Sequence, residues 1–212
     1  MIKNIIFDFG GVIVRGGDAW SYFAGHGLSK EDITFYYQNV HKYTHKDESL
    51  GLKTNEELIK IYCGKYPDKK ELIEFMDAHL SGWYVLSFEV VDYIKDLKKQ
   101  GFKIYGITNL GLSKHNSLRD QYFKKTGENF DEIFDGVVHS YQSKLRKPDR
   151  EIYELLLNTY NINPKESIFI DDVLEYAQGA EKLGIKGLQW TEDDNLESIK
   201  LKVAKIVEES KN

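Results

Sequence analysis

The sequence predicts an α/β fold, a three-layer, Rossmann-like parallel sheet that carries an inserted helical subdomain. Three observations lead there. Short apolar runs alternate with helix-patterned segments, as in a sheet whose parallel strands are joined by crossover helices. The polar residues able to do chemistry fall at the ends of those runs. The first run is separated from the second by about 90 residues, far more than a crossover needs, and that gap is helical in pattern.

Four runs read as buried strands: NIIFDF at 4–9, KIYGITN at 103–109, SIFIDD at 167–172 and KGLQW at 186–190. GVVHS at 136–140 is a weaker fifth. Between them lie helices with legible ends. Ser87 is placed to cap one and Gly101 to stop it, with Val90, Val91, Ile94 and Leu97 as its apolar stripe. Asp149 is the N-cap of a second, whose buried face is expected to hold Ile152, Leu155 and Leu156. Val173, Tyr176, Ala177 and Ala180 form the stripe of a third, closed by Gly184.

The long gap reads as helices only. Ser29 caps a segment with Ile33, Tyr36, Tyr37 and Val40 on one face. Thr54 and Glu57 have capping-box spacing. Leu72, Phe75, Met76 and Leu80 share a face further on. The expected division is therefore a core of residues 1–15 and 86–212 with a helical insertion at 16–85. Trp20, Tyr22, Phe23, Cys63 and His79 are expected to pack within it. His41 and His45, one turn apart, are expected on a solvated face, because no third ligand at metal-binding spacing accompanies them.

Bulk composition narrows the function. With 41% hydrophobic and 30% charged residues the chain can build a core. A formal charge of −5 provides no basic stripe for nucleic acid or an anionic membrane. The single cysteine forms no internal disulfide, which fits a reducing compartment. The apolar start is interrupted by Asp8, no small-residue cleavage site follows it, and no run approaches the roughly 18 apolar residues of a membrane span. A cytoplasmic location is the expectation. Monomer and homodimer are equally compatible with the sequence.

In an open parallel sheet, ligands bind beyond the carboxyl ends of the strands. The polar residues there are Asp8, then Thr108 and Asn109, then Asp171 and Asp172, with Lys147 in the loop KLRKPD. Three converging carboxylates repel one another unless a cation lies between them, and hard oxygen ligands suit Mg²⁺. A metal and a lysine around one carboxylate make a site for a transferring phosphoryl group, which the carboxylate attacks in line. Thr108 and nearby amides are placed to hold the phosphoryl oxygens. Taken singly, each residue has a blander explanation: a turn, a solvated lysine, a helix cap. The information lies in their joint occurrence at successive strand ends.

With FDFGGV around Asp8, ITN around Thr108, RKPD around Lys147 and FIDD around Asp171 and Asp172, the whole chain resembles the haloacid dehalogenase superfamily, in its branch of small capped phosphatases. The resemblance extends to sugar-phosphate phosphatases and the amino-terminal domain of soluble epoxide hydrolase. It implies that Asp8 becomes an aspartyl-phosphate and that Lys147 steadies it. Thr108, Asn109, Gly10 and Gly11 would contact the phosphoryl group. Asp8, the Gly10 carbonyl, Asp171 and Asp172 would hold Mg²⁺, and the helical insertion would be the mobile cap over a small phosphorylated metabolite. One departure matters: the family's acid–base aspartate, two positions after the nucleophile, is Gly10 here. Two alternatives share most of these residues: a metal-independent 2-haloacid dehalogenase, and a regulatory protein that binds Mg²⁺ and phosphate with little turnover.

Overall fold

The computed structural model describes residues 1–15 and 19–211. Five strands form one parallel sheet: β1 (Asn4–Phe7), β2 (Lys103–Thr108), β3 (Gly136–His139), β4 (Ser167–Asp171) and β5 (Lys186–Gln189), in the order β3-β2-β1-β4-β5. From β1 the chain builds outward on one side through β2 and β3, then crosses back to lay β4 on β1's other side. Strand order therefore reverses between β1 and β4, the position where open α/β sheets bind ligands. Even the weak fifth run, 136–140, is a strand at the sheet edge. β1 ends at Phe7, two residues short of the predicted run, because the chain turns sharply after Asp8.

The helices follow in chain order: α1 (Ala19–Gly25), α2 (Lys30–Tyr36), α3 (Lys42–Ser49), α4 (Asn55–Lys65), α5 (Lys70–Trp83), α6 (Phe88–Lys99), α7 (Leu112–Thr126), the short α8 (Ser140–Ser143), α9 (Arg150–Thr159), α10 (Leu174–Glu181) and α11 (Leu196–Glu209). A π-helical turn, Tyr37–His41, joins α2 to α3. Alternate strand residues feed two apolar layers. Ile5, Phe7, Ile104, Ile168 and Ile170 pack with residues of α6, α7 and α11. Ile6, Tyr105, Ile107 and Phe169 face α9 and α10.

Helix α6 buries Val90, Val91, Ile94 and Leu97 as its stripe requires, and Gly101 ends it with φ +95°. On α9 the buried trio is Ile152, Tyr153 and Leu156, while Leu155 faces outward, 36% exposed. The helix axis is rotated so that the Tyr153 ring fills the gap against Phe169. Val173 also leaves its predicted stripe. It is the residue before α10, and its side chain is exposed.

Helices α1 to α5 close around a separate cluster of Phe23, Ile33, Tyr36, Val40, Ile73 and Met76. Ser29 caps α2 and the Thr54–Glu57 capping box forms. On α5, Ile73 and Met76 lie deepest, with Leu72 and Phe75 half-buried beside them. Cys63 is only half-buried at the cluster's margin. Trp20 is exposed and stacks on Tyr37. The predicted insertion boundary at 16 and the Leu80 side chain lie outside the described residues. The chain enters and leaves this helical group by adjacent paths, since Arg15 N donates to Val85 O (3.1 Å) and Ser87 N to Ile13 O (2.9 Å).

Phe9 anchors the turn that follows β1. Its ring is fully buried, stacks on Phe134 at 5.2 Å, and lies against Gly106 of β2, where an added Cβ would meet Phe9 at 2.8 Å. Gly106→Val is expected to destabilise by about 1–3 kcal/mol through overpacking. Urea unfolding should show a lower midpoint with unchanged slope. Phe9→Leu in the same chain should recover at least about 0.5 kcal/mol of that loss, whereas strictly additive costs would show that the two side chains do not compete for one space.

Candidate active site

The register pairs Phe7 with Ile170, so the next residues, Asp8 and Asp171, emerge side by side at the strand-order reversal. Asp8 N donates to Ile170 O at 2.9 Å, which fixes the backbone at the point of departure. Between the two carboxylates sits the Lys147 ammonium, 2.6 Å from Asp8 Oδ1 and 2.6 Å from Asp171 Oδ2. All three side chains are buried.

Lys147 reaches this point because its loop is tied to the end of β2. Lys147 N donates to Asn109 Oδ1 (3.0 Å), and Asn109 Nδ2 donates to Lys147 O (3.1 Å). Asn109 therefore clamps the lysine as well as lining the cavity. Thr108 is fully buried, and its hydroxyl accepts from Leu110 N at 3.1 Å, setting the turn beyond β2. Asp171 Oδ1 accepts from Val173 N (2.9 Å), and Gln189 Nε2 donates to Asp172 O (3.0 Å). The Asp171–Asp172 segment is thus held from both sides.

Close approach requires glycine at position 11 and only crowds position 10. Gly11 has φ +72°, and a Cβ there would fall 2.2 Å from Asp172 Oδ2. Asp172 therefore packs onto bare backbone. At Gly10 a Cβ would lie 3.9 Å from Asp8 Oδ2 but 3.2 Å from the Tyr84 hydroxyl. Tyr84 is held in place through its backbone: Gln121 Nε2 donates to Tyr84 O (2.9 Å) and Gln121 Oε1 accepts from Leu86 N (3.0 Å).

The electrostatics follow from this crowding. Burial raises the Asp8 carboxyl to about 7; Lys147 pulls it down and Asp171 pushes it up again. Burial works against the Lys147 ammonium, but Asp8 and Asp171 outweigh it and hold its pKa above the ordinary value. Asp172 is raised by burial and by Asp171. One oxygen from each of Asp8, Asp171 and Asp172 lies within 4.8 Å of the other two. Three carboxylates share a single lysine, leaving a negative surplus that a divalent cation with oxygen preference would balance. The donor set fits such an ion.

Seven of the eight residues predicted for the site line one cavity of about 680 Å³, and the eighth, Asp171, is buried against Lys147, which lines it. Arg15, Tyr84, His45 and Arg146 also line it. Arg15 donates to Gly11 O (3.2 Å) and lays its guanidinium 4.0 Å from the Trp190 ring centre. A basic residue so soon after the Asp8 turn was a usable sequence signal; Tyr84 carried none. His41 and His45 do not sit on a solvated face. Both are half-buried, and burial together with the nearby Lys114 pushes each down to about 3, so the rings are neutral.

A family model described as haloacid dehalogenase-like hydrolase matches residues 2–184. A sesquiterpene phosphatase of Aspergillus oryzae is 33% identical over 99 residues, 47% of this chain and 47% of its own length. The chain thus spans about half of that relative. A D-ribitol-5-phosphate phosphatase of Bacteroides thetaiotaomicron is 26% identical over 89% of this chain and 92% of its own. Among solved structures, a predicted HAD-like family hydrolase from Porphyromonas gingivalis superposes with TM-score 0.74 at 24% identity, covering 96% of this chain and 98% of that one. A HAD family enzyme from Bacteroides thetaiotaomicron, in complex with magnesium and inorganic phosphate, gives 0.76 at 19% identity, covering 94% and 99%. With a family model matching most of its length and the same fold in solved members, this chain belongs to the haloacid dehalogenase-like hydrolases.

Proposed function

We propose that the protein is a Mg²⁺-dependent phosphatase of small phosphate monoesters, with Asp8 as nucleophile. The observation that carries this is the Lys147 ammonium shared at 2.6 Å by Asp8 and Asp171, with the Asp172 carboxylate alongside. Phosphatase relatives, one of them aligned over nearly the whole chain, support the reaction class.

Asp8 Oδ2, the oxygen not paired with Lys147, attacks phosphorus as the ester P–O bond breaks, giving an aspartyl-phosphate that water then hydrolyses. Lys147 favours the ionised form of Asp8 against the pull of burial and compensates the charge gathering on the phosphoryl oxygens. Thr108 and the backbone amides after Asp8 donate to those oxygens. Asp8, Asp171, Asp172 and the Gly10 carbonyl are the residues that would hold Mg²⁺, which when bound offsets the charge of carboxylates and phosphate alike. Residues 16–85 act as a cap that encloses the substrate and excludes water. Gly10 supplies no acid to the leaving oxygen, and the space beside it is taken by the Tyr84 hydroxyl.

Asp8→Asn should lower phosphate release by about 10⁴-fold or more, the scale of losing a nucleophile, while circular dichroism stays native. Residual activity near wild type would rule out the aspartyl-phosphate. Outer partners of a metal site are worth about 10–100-fold in affinity. Asp172→Ala should therefore raise the Mg²⁺ concentration for half-maximal activity by at least about 100-fold and abolish the Mg²⁺-induced rise in melting temperature. Full activity in excess chelator would count against the metal and favour the dehalogenase.

The third expectation concerns the leaving group. Aryl and anomeric phosphates should turn over at least about tenfold faster than primary alkyl phosphates, since a positioned acid contributes roughly 10²–10⁴-fold. Gly10→Asp alone should narrow this gap little, because Tyr84 occupies the space. Gly10→Asp with Tyr84→Phe should narrow it by about tenfold or more. Equal wild-type rates on all three ester types would mean that another group already protonates the leaving oxygen.

A further inference from the structure

A second cavity, about 580 Å³, lies between helices α3 to α5 and helix α7, within the size range of small-molecule sites. His45 lines both this cavity and the one over Asp8. Into it projects Lys114 of α7, only 8% exposed. Among the described residues the Lys114 ammonium makes no hydrogen bond and no close ion pair; the ring of Tyr84 lies 5.8 Å from ammonium to centroid, and Glu48 and Asp77 act on it electrostatically. Burial weighs against the Lys114 charge while Glu48 and Asp77 support it from a distance, and the side chain faces open space that adjoins the reactive centre.

The two carboxylates that act on it each have a closer hydrogen-bond partner. Glu48 is buried, accepts from Ser113 Oγ, and lies against the glycine that precedes α7, where the helix's amino-terminal amides favour negative charge. Asp77 accepts from Asn55 Nδ2, 3.0 Å from each of its oxygens. The cavity therefore offers a charged donor in Lys114, charged acceptors in Glu48 and Asp77, and two neutral imidazoles, His41 and His45, that can each donate or accept.

That mixture selects a chemistry. A second anionic group on the ligand would meet Glu48 and Asp77. A cationic ligand would meet Lys114, and an apolar one would leave that ammonium without a hydrogen-bond acceptor. A hydroxyl both donates and accepts, so a chain of hydroxyls satisfies donors and acceptors together.

We propose that this cavity holds the hydroxylated carbon chain of the substrate, whose phosphate sits over Asp8, so that the compound hydrolysed is a phosphorylated polyol. The proposal rests on the phosphatase reading for what happens to the bound compound, but the binding itself can be measured without turnover. Lys114 reads the chain and His45 marks the passage from one cavity to the other.

Calorimetric titration of ribitol 5-phosphate, methyl phosphate and 3-phosphoglycerate into the full chain with Mg²⁺, in the Asp8→Asn background with and without Lys114→Met, tests this directly. A hydrogen bond to a charged group is worth about 10–100-fold in affinity. Lys114→Met should therefore weaken ribitol 5-phosphate by at least about tenfold while weakening methyl phosphate less than about threefold. Equal losses on both, or none, would overturn the proposal, as would tightest binding of 3-phosphoglycerate. If Lys114→Met does not fold, Asp77→Asn, which keeps shape but removes the charged acceptor, should produce the same selective loss. Phosphate release by wild type separates the two failures. Release from aryl phosphate without Lys114-dependent discrimination removes the polyol site and leaves the phosphatase. No release from any ester, with that discrimination intact, removes the phosphatase and leaves the site.

Discussion

A single ammonium group shared by two strand-end carboxylates organises this molecule. Lys147 is buried and bridges Asp8 and Asp171 at 2.6 Å each. Removing the lysine leaves two carboxylates facing each other in the interior with no cation between them. The sheet must therefore bring β1 and β4 side by side, in register, with their carboxyl ends level. Asn109 must hold the lysine loop from the end of β2. Three neighbouring strands, β2, β1 and β4, are each committed to the placement of one nitrogen atom.

The same crowding explains the backbone around it. Asp172 can lie against the turn after β1 only because Gly11 has no side chain. Phe9 can fold under that turn only because Gly106 has none. Glycine at these positions reflects proximity between chain segments more than flexibility: each one marks where another group needs the volume.

Much of this was legible in the sequence because it depends on period and on strand ends. The five apolar runs, the Gly101 stop and the Thr54–Glu57 box are local signals, and each forms as its residues dictate. The strand-end rule brought Asp8, Thr108, Asn109, Asp171 and Asp172 to one place without knowledge of the sheet order, and Lys147 was picked out from the loop that leads into a helix. The misses share a different cause. Leu155 fits its helical stripe, but the stripe's orientation is set by what packs opposite, and there Tyr153 supplied the better volume, while Val173 falls just before its helix begins. His41 and His45 looked solvated because their partner surface, α7 with Lys114, lies some 70 residues further on. Tyr84 reaches the site through Gln121's grip on the backbone, a contact for which no periodicity exists.

The paired crossing of the chain at residues 13–15 and 85–87 bears on how such a molecule assembles. Strands β1 and β2 are neighbours in the sheet yet nearly a hundred residues apart in the chain, which would be a slow closure if the interval were loose. Because Val14 bridges Leu86, a helical group that has formed its own cluster delivers both ends of the interval to one point. The core then sees a short connection instead of a long one. The same junction makes the helical group a module in the evolutionary sense. Its two attachments are adjacent, so it can lengthen, shorten or be exchanged while the sheet, its register and the buried lysine stay as they are.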